Sequence, residues 1–180
     1  MVFNTNELLQ DLKELVESHI NYVEQLQQLA EADLQKKQAS TSWSAIECLE
    51  HLNLYAKFYN KEIRKRINES RYPKSAIFKS GFLGNKFALD MLPKEGMKTM
   101  KTFKSKNPIY SNLVSKEVLA QFLILQKELK ELLEMAREVD LTKTKTAITL
   151  PLLKFRLGDT FRFVIYHNER HIEQAKRALK

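Results

Sequence analysis

The feature that most constrains this chain is a run of apolar residues spaced alternately four and three apart. Leu8, Leu12, Leu15, His19, Tyr22, Leu26 and Leu29 step in that way through the first segment, and Val118, Phe122, Leu125, Leu129, Leu132 and Ala136 do so again later. Such spacing puts every member on one face of an α-helix, and a face of that kind must be buried against other helices. A third stretch, ECLEHLNLYAKFYNKEIRKRI, offers Cys48, His51, Tyr55, Phe58 and Glu62 or Ile63 as its inward face. A fourth carries Phe161, Val164, Asn168, His171 and Ala175 on one face, with His167 beside them. Four amphipathic segments without a convincing strand predict an all-α, four-helix bundle. The expected helices span 4–38, 43–69, 115–139 and 158–178, in one domain over 1–180.

Local signals place two of the helix starts. Asn4, with Glu7 three residues on, is an N-cap pair. Ser44 and Glu47 form an S-x-x-E capping box, with Trp43 and Cys48 in the two positions of a hydrophobic staple. Between the second and third helices the composition changes. Residues 71–112 hold three of the four prolines and three of the four glycines. A short helix fits 82–91, and the rest reads as loop. The segment is too long for a hairpin between neighbouring helices. It fits a crossover that runs the length of the bundle, or a flap over one end.

The same segment carries nine Lys/Arg against Asp90 and Glu95, which is +7 of the chain's net +8. That field favours an anionic partner, and it equally suits a solvated surface. Nucleic acid is not expected, because the basic residues are dispersed and neither a helix-turn-helix nor an RNA-binding aromatic motif is present. No stretch approaches 18 apolar residues, so no membrane span is expected. The N-terminus lacks the basic and apolar regions of a secretory signal. The single Cys48 rules out a disulfide within the chain and a thiolate zinc site, and it suits a reducing cytoplasm, where the chain is expected to reside.

The chemistry-bearing pattern is histidine. His167 and His171 are four apart on one helix, so their imidazoles can share one ion. Two ligands leave such a site unfinished, and His51, in the middle of the second helix's inward face, is the candidate third. Neutral imidazoles suit zinc, nickel, copper or ferrous iron and disfavour magnesium. The same four-residue spacing also arises by chance on helix surfaces, and a lone histidine such as His51 is more often a satisfied, partly buried residue than a ligand. His19 lies on a packing stripe as a core, supporting or pocket-wall residue. Glu47, four before His51, is either a general base acting on a bound water or only the partner of Ser44 in the capping box. Gln174 faces inward and can hydrogen-bond an imidazole. Trp43 and Tyr55 are candidate pocket walls.

The segment WSAIECLEHLNLY resembles the W-S-x-x-E-x-x-x-H-L signature of the DinB-like (YfiT-like) metal-binding bundle superfamily. LGDTFRFVIYHNERHIEQAKRAL resembles that superfamily's C-terminal H-x-x-x-H-x-x-Q signature, at a matching separation and over essentially the whole chain. The resemblance implies an up-down-down-up bundle and a divalent ion on His51, His167 and His171, with nickel or zinc ahead of iron or manganese. Members with known activity are thiol-dependent transferases or isomerases that use low-molecular-weight thiols such as bacillithiol or mycothiol. Three imidazoles leave coordination positions open, as catalytic sites do. The expected function is therefore a metal-dependent enzyme, a thiol transferase or hydrolase, that activates a small thiol or water against a small electrophile. The alternative is a non-catalytic metal- or ligand-binding module. The expected partners are a small-molecule substrate and an anionic low-molecular-weight thiol, with a homodimer left open.

Overall fold

The computed structural model describes residues 1–94, 102–111 and 115–180. In chain order the elements are β1 (Val2–Asn4), α1 (Thr5–Leu26), α2 (Glu31–Leu34), α3 (Ala45–Asn68), β2 (Ile77–Lys79), α4 (Phe82–Met91), α5 (Ser115–Met135), β3 (Lys145–Ala147), β4 (Lys154–Arg156) and α6 (Leu157–Ala178). Tight 3-10 turns occupy Lys104–Lys106, Pro108–Tyr110 and Ala136–Glu138. The molecule is mostly helical, an all-α fold. None of the described helices is long and apolar enough to cross a membrane.

The apolar stripes build the core. All six stripe residues of α5's segment are buried, from Val118 to Ala136, and all but Leu125 meet Leu8, Leu12, Leu52, Ile63, Phe161 and their neighbours in one cluster. Pair contacts fix the helix directions. Lys13 reaches Glu134 and Glu17 reaches Lys130, so α1 and α5 are antiparallel. Asn53 donates to the Val118 carbonyl and Asn60 to the Leu125 carbonyl, so α3 and α5 are parallel. His51 meets His167 and Tyr59 meets Phe163, so α3 and α6 are antiparallel. His19 with Glu169 and Tyr22 with Lys176 make α1 and α6 parallel.

Three details differ from the sequence expectation. The first helix ends at Leu26 instead of running to residue 38. Leu29 is exposed, and the chain turns so that Leu34, in α2, re-enters the core. Leu15 and Tyr22, expected in the stripe, are only partly buried, while Val16, Ile20 and Val23 are buried beside it. Two antiparallel strand pairs also exist, β1 with β2 and β3 with β4, each three residues long. Three residues are too few to show an alternating pattern. Both expected caps are present: the Asn4 side chain accepts from the Asn6 and Glu7 amides, and Ser44 and Glu47 satisfy each other's backbone amides.

The segment joining the parallel helices α3 and α5 positions the site. It starts beside the N-terminus of α1, where the Thr5 amide donates to the Ala76 carbonyl. It then climbs along α6 as α4. A buried knot fixes its foot: Asp159 accepts from the Ser80 hydroxyl and the Gly81 amide, and Arg162 donates to Asp159 and Asn85. Gly84 allows α4 to lie this close, since a Cβ there would sit 2.7 Å from the Asp159 side chain. The segment reaches α3 again at Lys106. Of its basic residues, Lys74 pairs with Glu138 and Lys86 with Asp90, whereas Glu95, Lys98 and Lys101 lie outside the described residues.

Candidate metal centre

Helix α3 delivers His51 and helix α6 delivers His167 and His171 to one point between them, under the crossover. One ring nitrogen from each lies within 4.8 Å of the others, and among the described residues this is the one cluster of three such groups able to hold a metal ion. The rings sit 4.6 Å (His51–His171), 4.6 Å (His167–His171) and 5.1 Å (His51–His167) apart. Two nitrogens bound tetrahedrally at the usual zinc distance would be about 3.3 Å apart. The His51 and His167 Nε2 atoms are 3.3 Å apart.

Hydrogen bonds turn the lone pairs inward. His51 Nδ1 lies 2.7 Å from the Lys106 carbonyl oxygen, which can only accept. The proton is therefore on Nδ1, and Nε2 faces the other histidines unprotonated. His171 Nδ1 donates in the same way to Gln174 Oε1 at 2.9 Å. This pattern, one ring nitrogen tied to a backbone or side-chain acceptor and the other aimed at a common centre, is how proteins orient imidazole ligands.

Charge supports the same state. Burial pushes His51 down to about 4; the Lys106 ammonium adds to that, and the hydrogen bond to the Lys106 carbonyl opposes it. Burial, with His51 next, takes His171 down to about 3. His167 is also held well below its ordinary range, by burial first and then by His171, His51 and Arg170. All three are neutral at pH 7, as metal ligation requires.

The other candidates fall into two groups. Trp43, Tyr55 and Gln174 are at the centre. The Trp43 ring lies 4.8 Å from that of His51 and 5.8 Å from that of His171, and Tyr55 packs 4.9 Å from His51 and 4.8 Å from His167. Trp43 also packs against the buried cluster of Ala45, Cys48 and Ala175, which contains its expected staple partner. Glu47 and His19 are elsewhere. The Glu47 carboxylate is taken up by the Ser44 amide at 2.8 Å and by Lys37 Nζ at 2.7 Å. His19 is buried between α1 and α6, with Nε2 2.6 Å from Glu169 Oε2. Cys48 is fully buried, and its thiol is pushed up to about 12 by burial and by the Glu47 charge, so it is not a nucleophile at neutral pH.

A cavity of about 1160 Å³ opens beside the histidines. Its walls include residues that the sequence alone did not single out: Tyr59, Phe87 and Phe163, the β3–β4 connection at 148–150, and Arg170 and Arg177. Phe163 had a legible signal, since it precedes His167 by one helical turn. Lys106 had none, because its contribution to His51 is a backbone carbonyl.

A family model described as the DinB superfamily matches residues 14–175 of this chain, most of its length. Comparison with curated proteins and with solved structures gave no match.

Proposed function

The chain belongs to the DinB superfamily, and on that premise we propose that it holds one divalent metal ion, nickel or zinc, on His51, His167 and His171. The observation that carries this reading is the paired arrangement of His51 on the Lys106 carbonyl and His171 on Gln174, which puts the proton of each on Nδ1 and leaves both Nε2 lone pairs available to an ion, that of His51 3.3 Å from His167 Nε2. The residues present fit such an ion: three neutral nitrogen donors, a donor spacing that suits a tetrahedral site, and no carboxylate among the cluster.

We assign the site to an enzyme of thiol-transferase or hydrolase type, acting in the cytoplasm on a small electrophilic molecule, with an anionic low-molecular-weight thiol or water as nucleophile. Three ligands leave open coordination positions, and a bound ion would supply an acidified thiol or water near neutral pH. Trp43 packs on the His51 and His171 rings and Tyr55 on those of His51 and His167. Gln174 and the Lys106 carbonyl hold two imidazoles in one tautomer and one orientation. Arg170 and Arg177 line the cavity and favour an anionic reactant. Glu47 is assigned to the start of α3, where both of its oxygens are engaged.

The test is calorimetric titration of EDTA-treated protein with zinc and with nickel, followed by a thiol-transfer assay with bacillithiol and a chromogenic aryl halide. One equivalent of metal and a metal-dependent rate are expected. Failure to take up either ion rejects the site. Stoichiometric uptake without any thiol- or water-dependent rate leaves a binding module.

A further inference from the structure

Lys106 touches helix α3 with its main chain and with its side chain. The carbonyl oxygen lies 2.7 Å from His51 Nδ1. The ammonium donates to the Leu54 carbonyl at 2.5 Å and sits 5.5 Å from the centre of the Tyr55 ring, a cation–π distance. Residues 51, 54 and 55 stand one turn apart on a helix, so they share a face. Lys106 straddles that turn, carbonyl at one end and ammonium at the other. The Tyr55 ring beneath the ammonium is also the one that packs on His51 and His167.

The two supported imidazoles obtain their acceptors in different ways. His171 uses Gln174, three residues on in the same helix, so helix geometry alone keeps that pair together. His51 uses a carbonyl 55 residues away in sequence. That carbonyl ends a three-residue 3-10 turn, Lys104–Lys106. The Lys106 amide donates to the Phe103 carbonyl and the Asn107 amide to that of Lys104. Those bonds shape the turn and do not join it to α3. The ammonium does join it, next to the residue whose imidazole the carbonyl holds.

We propose that the Lys106 side chain is a positioning residue for the metal centre. By gripping Leu54 and Tyr55 it keeps the Lys106 carbonyl on His51, and so keeps the proton on Nδ1 and Nε2 free for the ion. The effect on metal rests on the metal reading above; the clamp on His51 rests on the contacts of Lys106. The crossover and the ion are thereby coupled. Affinity depends on the crossover being docked on α3, and a bound ion favours docking by the same factor. Charge alone predicts the reverse sign. A cation near three imidazoles repels a dication, so its removal would tighten the site. Loss of a clamp loosens it.

The test compares Lys106→Met, which keeps the apolar stem and removes the ammonium, with Lys106→Arg, which keeps a cation and donors. Lys104→Met, in the same turn with its ammonium over Tyr110, controls for the loss of one charge. Zinc affinity of EDTA-treated protein is read by competition with a chromogenic chelator. The tautomers of the metal-free protein are read by nitrogen NMR of the imidazoles. Lys106→Met should bind zinc about 10- to 100-fold more weakly, the scale for losing the support of a ligand. Its His51 should lose the single Nδ1–H form, while His171, held by Gln174, keeps it. Lys106→Arg and Lys104→Met should stay close to wild type in both readouts. Lys106→Gln repeats the first arm should Lys106→Met fail to fold. Unchanged or tighter zinc binding in Lys106→Met, an unchanged His51 tautomer, or an equal loss in Lys106→Arg would overturn the proposal. A wild type that takes up no zinc, with a His51 tautomer still released by Lys106→Met, rejects the metal and keeps the clamp. Zinc uptake with a tautomer indifferent to residue 106 rejects only the clamp.

Discussion

Helix α6 buries histidine contacts on two sides, and the two sides treat the imidazole differently. Toward α1, His19 is almost completely buried and its Nε2 sits 2.6 Å from a Glu169 oxygen. Toward α3, His51 is as deeply buried, yet its partner is the Lys106 carbonyl, and that bond is made by Nδ1. A carboxylate on Nε2 holds a proton on the very nitrogen that would ligate. A carbonyl on Nδ1 fixes the opposite tautomer and leaves Nε2 bare. Burial alone therefore does not distinguish a packing histidine from a candidate ligand. What distinguishes them is which ring nitrogen is engaged, with what partner, and whether a second imidazole lies across from the free one.

The sharpest way to break this comparison is to delete each ring in turn. His51→Ala, His167→Ala and His171→Ala should each abolish stoichiometric metal uptake, because three ligands leave no redundancy. His19→Ala should keep full uptake and instead lose stability, on the order of 1–3 kcal/mol for a buried side chain. Metal content by mass spectrometry and urea unfolding read the two outcomes. Full occupancy in any of the first three variants would dissolve the distinction.

The second test uses protons. An unfolded chain titrates its histidines near about 6.5. In the folded, metal-free protein burial holds His51 at about 4 and His171 at about 3. Protons thus bind the unfolded chain first as pH falls, and the sign follows: the contribution of these groups is complete above about pH 6.5 and is lost as pH drops towards 4. The urea midpoint of EDTA-treated protein should fall across that window. A midpoint that stays flat from neutral pH to about 4 would mean that the rings are not held neutral.

A finer probe is Gln174→Leu, which keeps all three ligands and removes the acceptor on His171 Nδ1. Metal affinity should drop about 10- to 100-fold, the usual effect of losing such a support. Competition with a chromogenic chelator measures it, and an unchanged affinity would show that Gln174 does not orient the ring. The smallest effect is expected at Glu47→Gln. Metal content and rate should stay near wild type, and stability should fall by about 1 kcal/mol as the cap weakens. A rate loss of about 100-fold with metal retained would instead give Glu47 the role of base.

The helix faces were legible in the sequence because packing writes itself as periodic spacing. Val118, Phe122, Leu125, Leu129, Leu132 and Ala136, all buried, were recoverable from their four-three steps alone. Ser44 and Glu47 were legible because a capping box has its own local code. The histidine cluster was half legible: the spacing of His167 and His171 placed two rings together, and the resemblance of the two signatures tied His51 to them. The end of α1 was not legible. Nothing in Leu26, Gln27 and Gln28 breaks a helix, and the turn follows from where the packing partners stop. The Asp159–Arg162 knot was invisible for a related reason. Two charges three apart on a helix ordinarily mark a solvated face, and only the fold places Ser80, Gly81 and Asn85 around them. Most of the cavity walls, Trp43 and Tyr55 apart, were missed because they come from six separated stretches of chain.

The parallel run of α3 and α5 has a consequence for how the protein comes into being. His51 and His167 are 116 residues apart in sequence. The crossover that caps His51 lies between them, and the other two rings belong to the last long helix. The centre cannot exist on a partly synthesised chain. It closes only when α6 docks, and the loop closure it requires has an entropic cost that rises slowly with length. An ion bound there would then act as a late cross-link between α3 and α6. It would favour the finished topology over any in which α6 has not yet docked, by an amount set by the free ion concentration relative to its dissociation constant.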